Sequence, residues 1–428
     1  MRPRQATILA SAAVVVAATA CAAETGPPVL TWYINPDDGG QAELAAQCTD
    51  ESGGDYRITT SLLPRDAPGQ REQLARRLAA GDTGIDIMSL DPPFIPEFAE
   101  AGWLAELPPD VAEAAADGVL ESAVQASTWR DELVAVPFWA NTQLLWYRTS
   151  VAESAGLDPE NEAVTWEQLI EAAQSEDTYL AVQGVREEAL TVWINALVAS
   201  ADGVIIENPE APADEVQLGL ESEAGEQAAE IIGTIARDGL GGPGLSGQDE
   251  EASMRLFQGD AAAFMVNWPF VWAATQAAVD EGALDQEWLD DVGWAMYPAV
   301  SEDEPARPPY GGISLGVSAF SEHVDEALDA IECIVQPENQ AFYFVNDGNP
   351  PSHPDAYDDA EVQEAFPMAD VIQDSLEQAA PRPQTPYYNE VSEGIQTTWH
   401  PPASVSPDTS PAAATTLITE VLRGERLL

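Results

Sequence analysis

Apolar and polar positions along the chain fall into blocks whose period switches between two and about 3.6. VLTWYI (29–34), filled with β-branched and aromatic residues, predicts a strand, and helical spacing follows over 40–48. RITTSLL (57–63) predicts a second strand, GQREQLARRLAAG (69–81) a helix closed by glycine, and IDIMSLD (85–91) a third strand halted by Pro92-Pro93. This βαβ rhythm predicts an α/β fold with a mostly parallel sheet and helices on its faces. Ligands on such sheets bind beyond the carboxyl ends of strands, where Asn35 and Asp91 fall. The middle of the chain is helix-rich, with clear spacing over 166–173, 190–199 and 224–238. Strand-like AAFMVNW (262–268) and YGGISLGVSAF (310–320) come next, the second behind a proline-rich linker over 305–309. A final helix starts at Ser410 as N-cap with Pro411 in its first turn and stops at Gly424.

One segment breaks the pattern. PFWANTQLLWYR (137–148) places the uncharged Asn141-Thr142-Gln143 between two apolar, aromatic halves. A chain of 428 residues exceeds the size at which single cores stop growing, so two lobes are expected. The interruption then reads as a crossing, each half in the core of a different lobe and the polar residues in the cleft between.

Charge narrows the partners. The chain has 74 acidic residues against 16 basic ones, all arginine, for a formal net charge of −58. Nucleic acid and anionic membrane surfaces would be repelled, because both recruit proteins through Lys and Arg. The carboxylates are scattered over the whole length, which indicates a solvated acidic shell of the halophile type, with neutral or cationic partners.

At the N-terminus, Arg2 and Arg4 precede an apolar run from Ala6 to Ala20 that ends in small residues before Cys21. The run is shorter than the ~20 residues that span a bilayer. It reads as a signal peptide (1–20), with Ala18-Thr19-Ala20-Cys21 resembling a bacterial lipobox and 21–28 a lipidated tether; an ordinary signal with an incidental cysteine is the plainer alternative. Cys48 and Cys333 remain, an even pair in an exported chain, which suggests a disulfide over two buried thiols.

Candidate chemistry is sparse. Gly312-Ile313-Ser314-Leu315-Gly316 fits the nucleophile-elbow pattern, with His323, His353 and His400 downstream, so a serine hydrolase using Ser314 is the alternative from another class. β-favouring residues run straight through the motif, however, where an elbow needs a sharp turn. No metal motif is present, NPDDGG (35–40) lacks the remaining ligands of a calcium loop, and a chain without lysine has no Walker lysine. No cofactor is implied. The aromatics say more: Trp32, Tyr33, Trp139, Trp146, Trp268, Trp272, Tyr310 and Tyr387 sit at strand ends or Gly/Pro-marked loops. Asn35, Asn141, Gln143, Asn267 and Arg382 lie beside them. Flat rings with amide, carboxylate and guanidinium groups suit sugars, which present apolar C–H faces and a ring of hydroxyls. About half of these rings, Trp146 among them, are expected to be core.

Taken together, the lipobox, the βαβ start, EFAEAGWLAEL (97–107) and VAVPFWANTQLLWYR (134–148) resemble extracellular solute-binding proteins of carbohydrate ABC importers. LPR (63–65), QLARRL (73–78), NTQLLWYR, VNWPF (266–270), YGG (310–312) and RPQTPYY (382–388) resemble, more narrowly, the trehalose-binding lipoproteins of actinobacteria. The resemblance implies a two-lobed periplasmic-binding-protein-like fold of type II, with lobe 1 as 29–140 plus 312–347 and lobe 2 as 141–311 plus 348–428. It implies ligand contacts at Asn35, Gln70 and Asp91 from lobe 1. From lobe 2 it implies Asn141, an acid of Glu250-Glu251, Trp268, the backbone at Gly311-Gly312, and Arg382. Cys48 and Cys333 would both fall on lobe 1 helices. Trp139 stands where the pattern leads one to expect a smaller residue. The implied protein is a monomeric, non-enzymatic receptor, held to the membrane only by its lipid, that delivers trehalose to permease subunits; maltose, another oligosaccharide or a glycerophosphodiester are the other candidate ligands.

Overall fold

The computed structural model describes residues 26–428. The signal peptide, Cys21 and the first part of the 21–28 tether lie outside the described residues. Nine strands form the two main sheets: β1 (Val29–Ile34), β2 (Arg57–Leu62), β3 (Ile87–Leu90), β4 (Val136–Thr142), β5 (Leu144–Arg148), β6 (Tyr179–Ala181), β7 (Ala262–Asn267), β8 (Val292–Ala295) and β9 (Tyr310–Val317). The helices used below are α1 (Gly40–Glu51), α2 (Ala67–Ala79), α3 (Glu188–Ser200), α4 (Glu250–Gln258), α5 (Phe270–Asp280), α6 (Val324–Ile334) and α7 (Tyr388–Trp399).

The first sheet runs β2-β1-β3-β9-β4 and the second β8-β5-β7-β6. The parallel expectation holds for β2-β1-β3 and β6-β7; β9 pairs antiparallel with both β3 and β4, and β5 antiparallel with both its neighbours. The reason is connectivity: β9 returns to the first sheet from the second lobe rather than through a crossover helix, so nothing constrains it to run parallel. Period-two alternation is plain in β1, where Leu30, Trp32 and Ile34 enter one apolar cluster and Tyr33 the cluster on the opposite face. A third cluster fills the second lobe around Trp166, Trp193 and Trp399. A fourth, from Ala140 and Trp146 to Phe344, Phe366 and Ile372, packs where the lobes meet.

β4 belongs to the first sheet and β5 to the second, with Gln143 alone between them. The crossing is therefore tighter than the sequence suggests. Asn141 and Thr142 still pair with Gly311 and Tyr310, and Gln143 is buried with Nε2 donating to Gln183 Oε1 at 3.3 Å. Trp146 is fully buried and donates to the Asn267 carbonyl at 2.9 Å, a core residue as expected. At the C-terminus Ser410 is the first helical residue and Thr409 the cap.

Cys48 on α1 and Cys333 on α6 form a disulfide that closes a separation of 285 residues. Both helices pack on the same cluster of the first sheet, so the bond ties its first and last chain segments together. Cys48→Ser with Cys333→Ser is expected to lower the unfolding free energy by about 2–5 kcal/mol, since the loop constraint on the unfolded chain is lost. Urea denaturation of the double variant beside the oxidised wild type checks this, and an unshifted midpoint refutes it.

Candidate functional site

A cavity of about 390 Å³ lies between the lobes where β1, β3 and β4 end and β9 begins. Asn35 follows β1, Asp91 follows β3, and Asn141 and Gly311-Gly312 face each other across the β4–β9 register, all lining the cavity. Gln70 on α2 lines it too. The opposite wall carries Glu250 at the start of α4, Trp268 after β7, and Arg382 on the loop before α7. Nine positions predicted from sequence are thus brought to one space although they span more than three hundred residues of chain.

Arg382 is the electrostatic centre. It is 6% exposed and its fork meets Asp91 through Nη2 to Oδ1 at 2.5 Å and Nη1 to Oδ2 at 3.2 Å. Nη1 also donates to Glu188 Oε1, which accepts the Tyr388 hydroxyl at 2.6 Å. Glu188 opens α3, where the positive end of the helix dipole favours a carboxylate. Two carboxylates therefore share one guanidinium. Burial pushes Asp91 up to about 6; repulsion from Glu188 adds to the rise and Arg382 opposes it. Burial also raises Glu250, against the pull of its own backbone amide and a hydrogen bond from Trp268.

The neutral groups are held by short-range contacts. Asn267, fully buried, donates Nδ2 to the Glu250 carbonyl at 2.8 Å and accepts from Trp268 N at 2.9 Å, so one amide orients both neighbours. Gln70 Nε2 donates to the Pro64 carbonyl at 2.9 Å, which leaves its oxygen for the cavity. Asn141 Oδ1 accepts from Thr142 N at 3.0 Å. Two glycines shape the wall here, the second by backbone necessity. A Cβ at Gly311 would stand 3.1 Å from the Trp268 ring, and Gly312, at φ 117°, would drive one to 2.2 Å from the Trp139 carbonyl. Trp139 lines the cavity, with its Nε1 buried and without a partner.

Other positions are sorted by the same geometry. Glu251 does not line the cavity; one residue further around α4 it is exposed and pairs with Arg255 at 3.3 Å. The elbow reading is overturned. Ser314 is buried inside β9, paired to β3 and β4, and its hydroxyl lies 2.7 Å from Ser127. His400 Nε2 lies 3.0 Å from the Ser246 carbonyl, His353 Nδ1 accepts from Asp355 N at 3.2 Å, and His323 precedes α6. In NPDDGG, Asp37 accepts from Gln41 N in the first turn of α1 at 2.8 Å. Sequence reasoning missed Glu188, Asn349, Arg65 and Phe270, which also line the cavity. For Phe270 the signal was its place in VNWPF; Glu188 is one acid among 74 and carried none.

Asp91 provides a titration test. Its folded value lies above the ordinary 3.8, so the native state holds a proton that the unfolded chain releases. Its stabilising contribution is complete below about pH 4 and is lost as pH rises through about 6. Carbon-13 NMR titration of the Asp91 carboxyl is expected to show a midpoint near 6 that moves down in Glu188→Gln. A midpoint in the ordinary carboxylate range refutes burial as the dominant influence on Asp91.

Comparison with known proteins agrees with this architecture. The chain is 26% identical over 356 residues, 78% of each chain, to a probable ABC transporter-binding protein of Deinococcus radiodurans. It is 26% identical over 262 residues to the sn-glycerol-3-phosphate-binding periplasmic protein UgpB of Escherichia coli, covering 59% of this chain and 57% of that one. Among solved structures, maltose-bound MalE3 of T. maritima superposes with a TM-score of 0.76 at 23% identity, over 93% of this chain and all of that one. MalE of Xanthomonas citri gives 0.77 at 18% identity, over 93% and 98%. These likenesses establish the two-lobed α/β fold. Residues 53–341 match the model described as bacterial extracellular solute-binding protein, and the chain belongs to that family.

Proposed function

We propose that this protein is the substrate-binding component of an ABC importer for sugars, anchored outside the cell membrane through a lipidated Cys21, and that it holds trehalose or a closely similar disaccharide. The observation that carries the reading is the interlobe cavity of about 390 Å³ in which aromatic and amide side chains surround a buried guanidinium. Trp139, Trp268 and Phe270 supply ring surface for sugar C–H faces. Asn35, Gln70 and Asn141 donate to and accept from hydroxyls, and Asp91, Glu188 and Glu250 accept from hydroxyl pairs. The volume lies within the range of small-molecule sites of about 300–1,000 Å³. Those three carboxylates outnumber the lining Arg65 and Arg382, which favours a neutral sugar over a phosphate ester such as the one named for UgpB.

Delivery follows from the two lobes. With the lobes divided at the β4–β5 crossing and ahead of β9, a sugar touching both walls stabilises the closed arrangement by its differential affinity. The closed monomer then presents a composite surface to the permease, and no bond in the sugar is made or broken.

Calorimetric titration of the mature chain with trehalose, maltose and sucrose tests the assignment, with trehalose expected to bind tightest. Tight binding of another sugar without trehalose refutes the narrow claim, and no binding of any sugar refutes the receptor reading. Asn141→Ala is expected to weaken trehalose binding by about 1–3 kcal/mol with an unchanged melting transition. Unchanged affinity would remove Asn141 from the site.

A further inference from the structure

Trp272, one of the rings that the sequence singles out, does not reach the interlobe cavity. It lines instead a groove of about 560 Å³ at the outer edge of the second sheet, between α5, the short helix Gln286–Asp290 and β8. The groove shares no lining residue with the cavity. Trp272 and Trp294 are both half-buried and meet edge to face at 5.3 Å, and Trp272 Nε1 donates to the Ala365 carbonyl at 3.0 Å, which fixes the pair. Asp280 closes α5 and Asp290 closes the short helix, and both are exposed along the groove. The negative end of the α5 dipole adds to the field at Asp280, where a cation is favoured. No basic side chain lines the groove. Among the described residues, neither carboxylate has an ion-pair partner.

The rest of the molecule shows what such a set holds. Among the described residues, five arginines lie over aromatic rings, and each of them also pairs with a carboxylate. Trp288, on the same short helix, carries one of them: the Arg148 guanidinium carbon sits 4.6 Å from its ring centre, and its nitrogens reach Asp260 at 2.6 Å and Asp291 at 3.0 Å. Ring and carboxylate attract a guanidinium together, the first through the ring quadrupole and the second through charge. Trp272, Trp294, Asp280 and Asp290 repeat this set without the cation. We infer that the groove is a docking surface for a partner protein that inserts an arginine against the paired indoles and the two carboxylates. The cation comes from the partner because this chain has 16 basic residues against 74 acidic ones and none of them lines the groove. A guanidinium takes up only part of the volume. Half-buried Val279 suits its alkyl stem, and the exposed Gln276 amide suits the backbone of the segment that carries it. This goes beyond the sugar-receptor reading and does not depend on it.

The test is a titration of the mature protein followed through the indole N–H resonances of Trp272 and Trp294 in nitrogen-15 NMR, assigned with Trp272→Phe and Trp294→Phe. The probes are short capped peptides of glycine and serine that differ only at the central residue: arginine, lysine or the uncharged citrulline. The arginine peptide is expected to shift both resonances saturably and to bind about threefold or more tightly than the lysine peptide, with no saturable shift from citrulline. Asp280→Asn with Asp290→Asn keeps both rings and removes the charge. That double variant is expected to bind the arginine peptide about fivefold or more weakly, with an unchanged melting transition. On the wild type alone, citrulline binding as tightly as arginine, or an arginine peptide that shifts neither resonance, overturns the inference. Unchanged affinity in the double variant overturns it as well.

Discussion

One guanidinium shared by two carboxylates organises the cleft. Arg382 is buried on the second lobe, Asp91 sits at the end of a strand of the first, and Glu188 opens a helix of the second. Removing three charged groups from water is costly, and the geometry must return that cost through short, directed contacts. The bidentate fork on Asp91 and the Tyr388 hydroxyl on Glu188 do so. Because the fork crosses between lobes, the same contact that settles the charges also sets how the two walls of the cavity face each other. Burial still holds the Asp91 carboxyl above its ordinary range, with repulsion from Glu188 adding to the rise and Arg382 opposing it.

The interior arrangement contrasts with the surface. A formal net charge of −58 would drive a chain apart at low ionic strength, and exposed pairs such as Arg76–Glu72 and Arg255–Glu251 contribute little against it. Cohesion rests on continuous apolar clusters on both faces of the first sheet, within the second lobe and at the lobe junction, with the Cys48–Cys333 bond closing the first lobe. The partly shielded arginines serve geometry: Arg148 joins Asp260 at 2.6 Å and Asp291 at 3.0 Å, fastening β5 to the ends of its neighbours. High salt screens the shell and leaves the buried contacts largely untouched.

The glycines of β9 show how backbone and site depend on each other. Gly311 lets the Trp268 ring lie against the strand, and Gly312 takes a positive φ beside the Trp139 carbonyl. The register slips immediately afterwards, between Ile313 and Ser314, so the strand bends as it leaves the cavity. The residues that resembled a nucleophile elbow are therefore a bulged inner strand whose start lines the interlobe cavity. The motif pattern was real in sequence and meaningless for nucleophilic chemistry, because an elbow is defined by a turn and not by five letters.

Sequence alone determined the strands and helices with strong periodicity, the acidic shell and the polar interruption between apolar halves at 137–148, because each is written in neighbouring residues. Strand-end placement singled out Asn35 and Asp91, and motif resemblance pointed to Arg382. Tertiary structure decided that the crossing narrows to Gln143, that β9 runs antiparallel, and that Glu250 and not Glu251 faces the cavity. It also supplied Glu188, which sits 97 residues from Asp91 and 194 from Arg382 in a chain where one residue in six is acidic. The physical reason is range: periodicity and capping act over a few residues, whereas charge sharing depends on distances that only the packed lobes create.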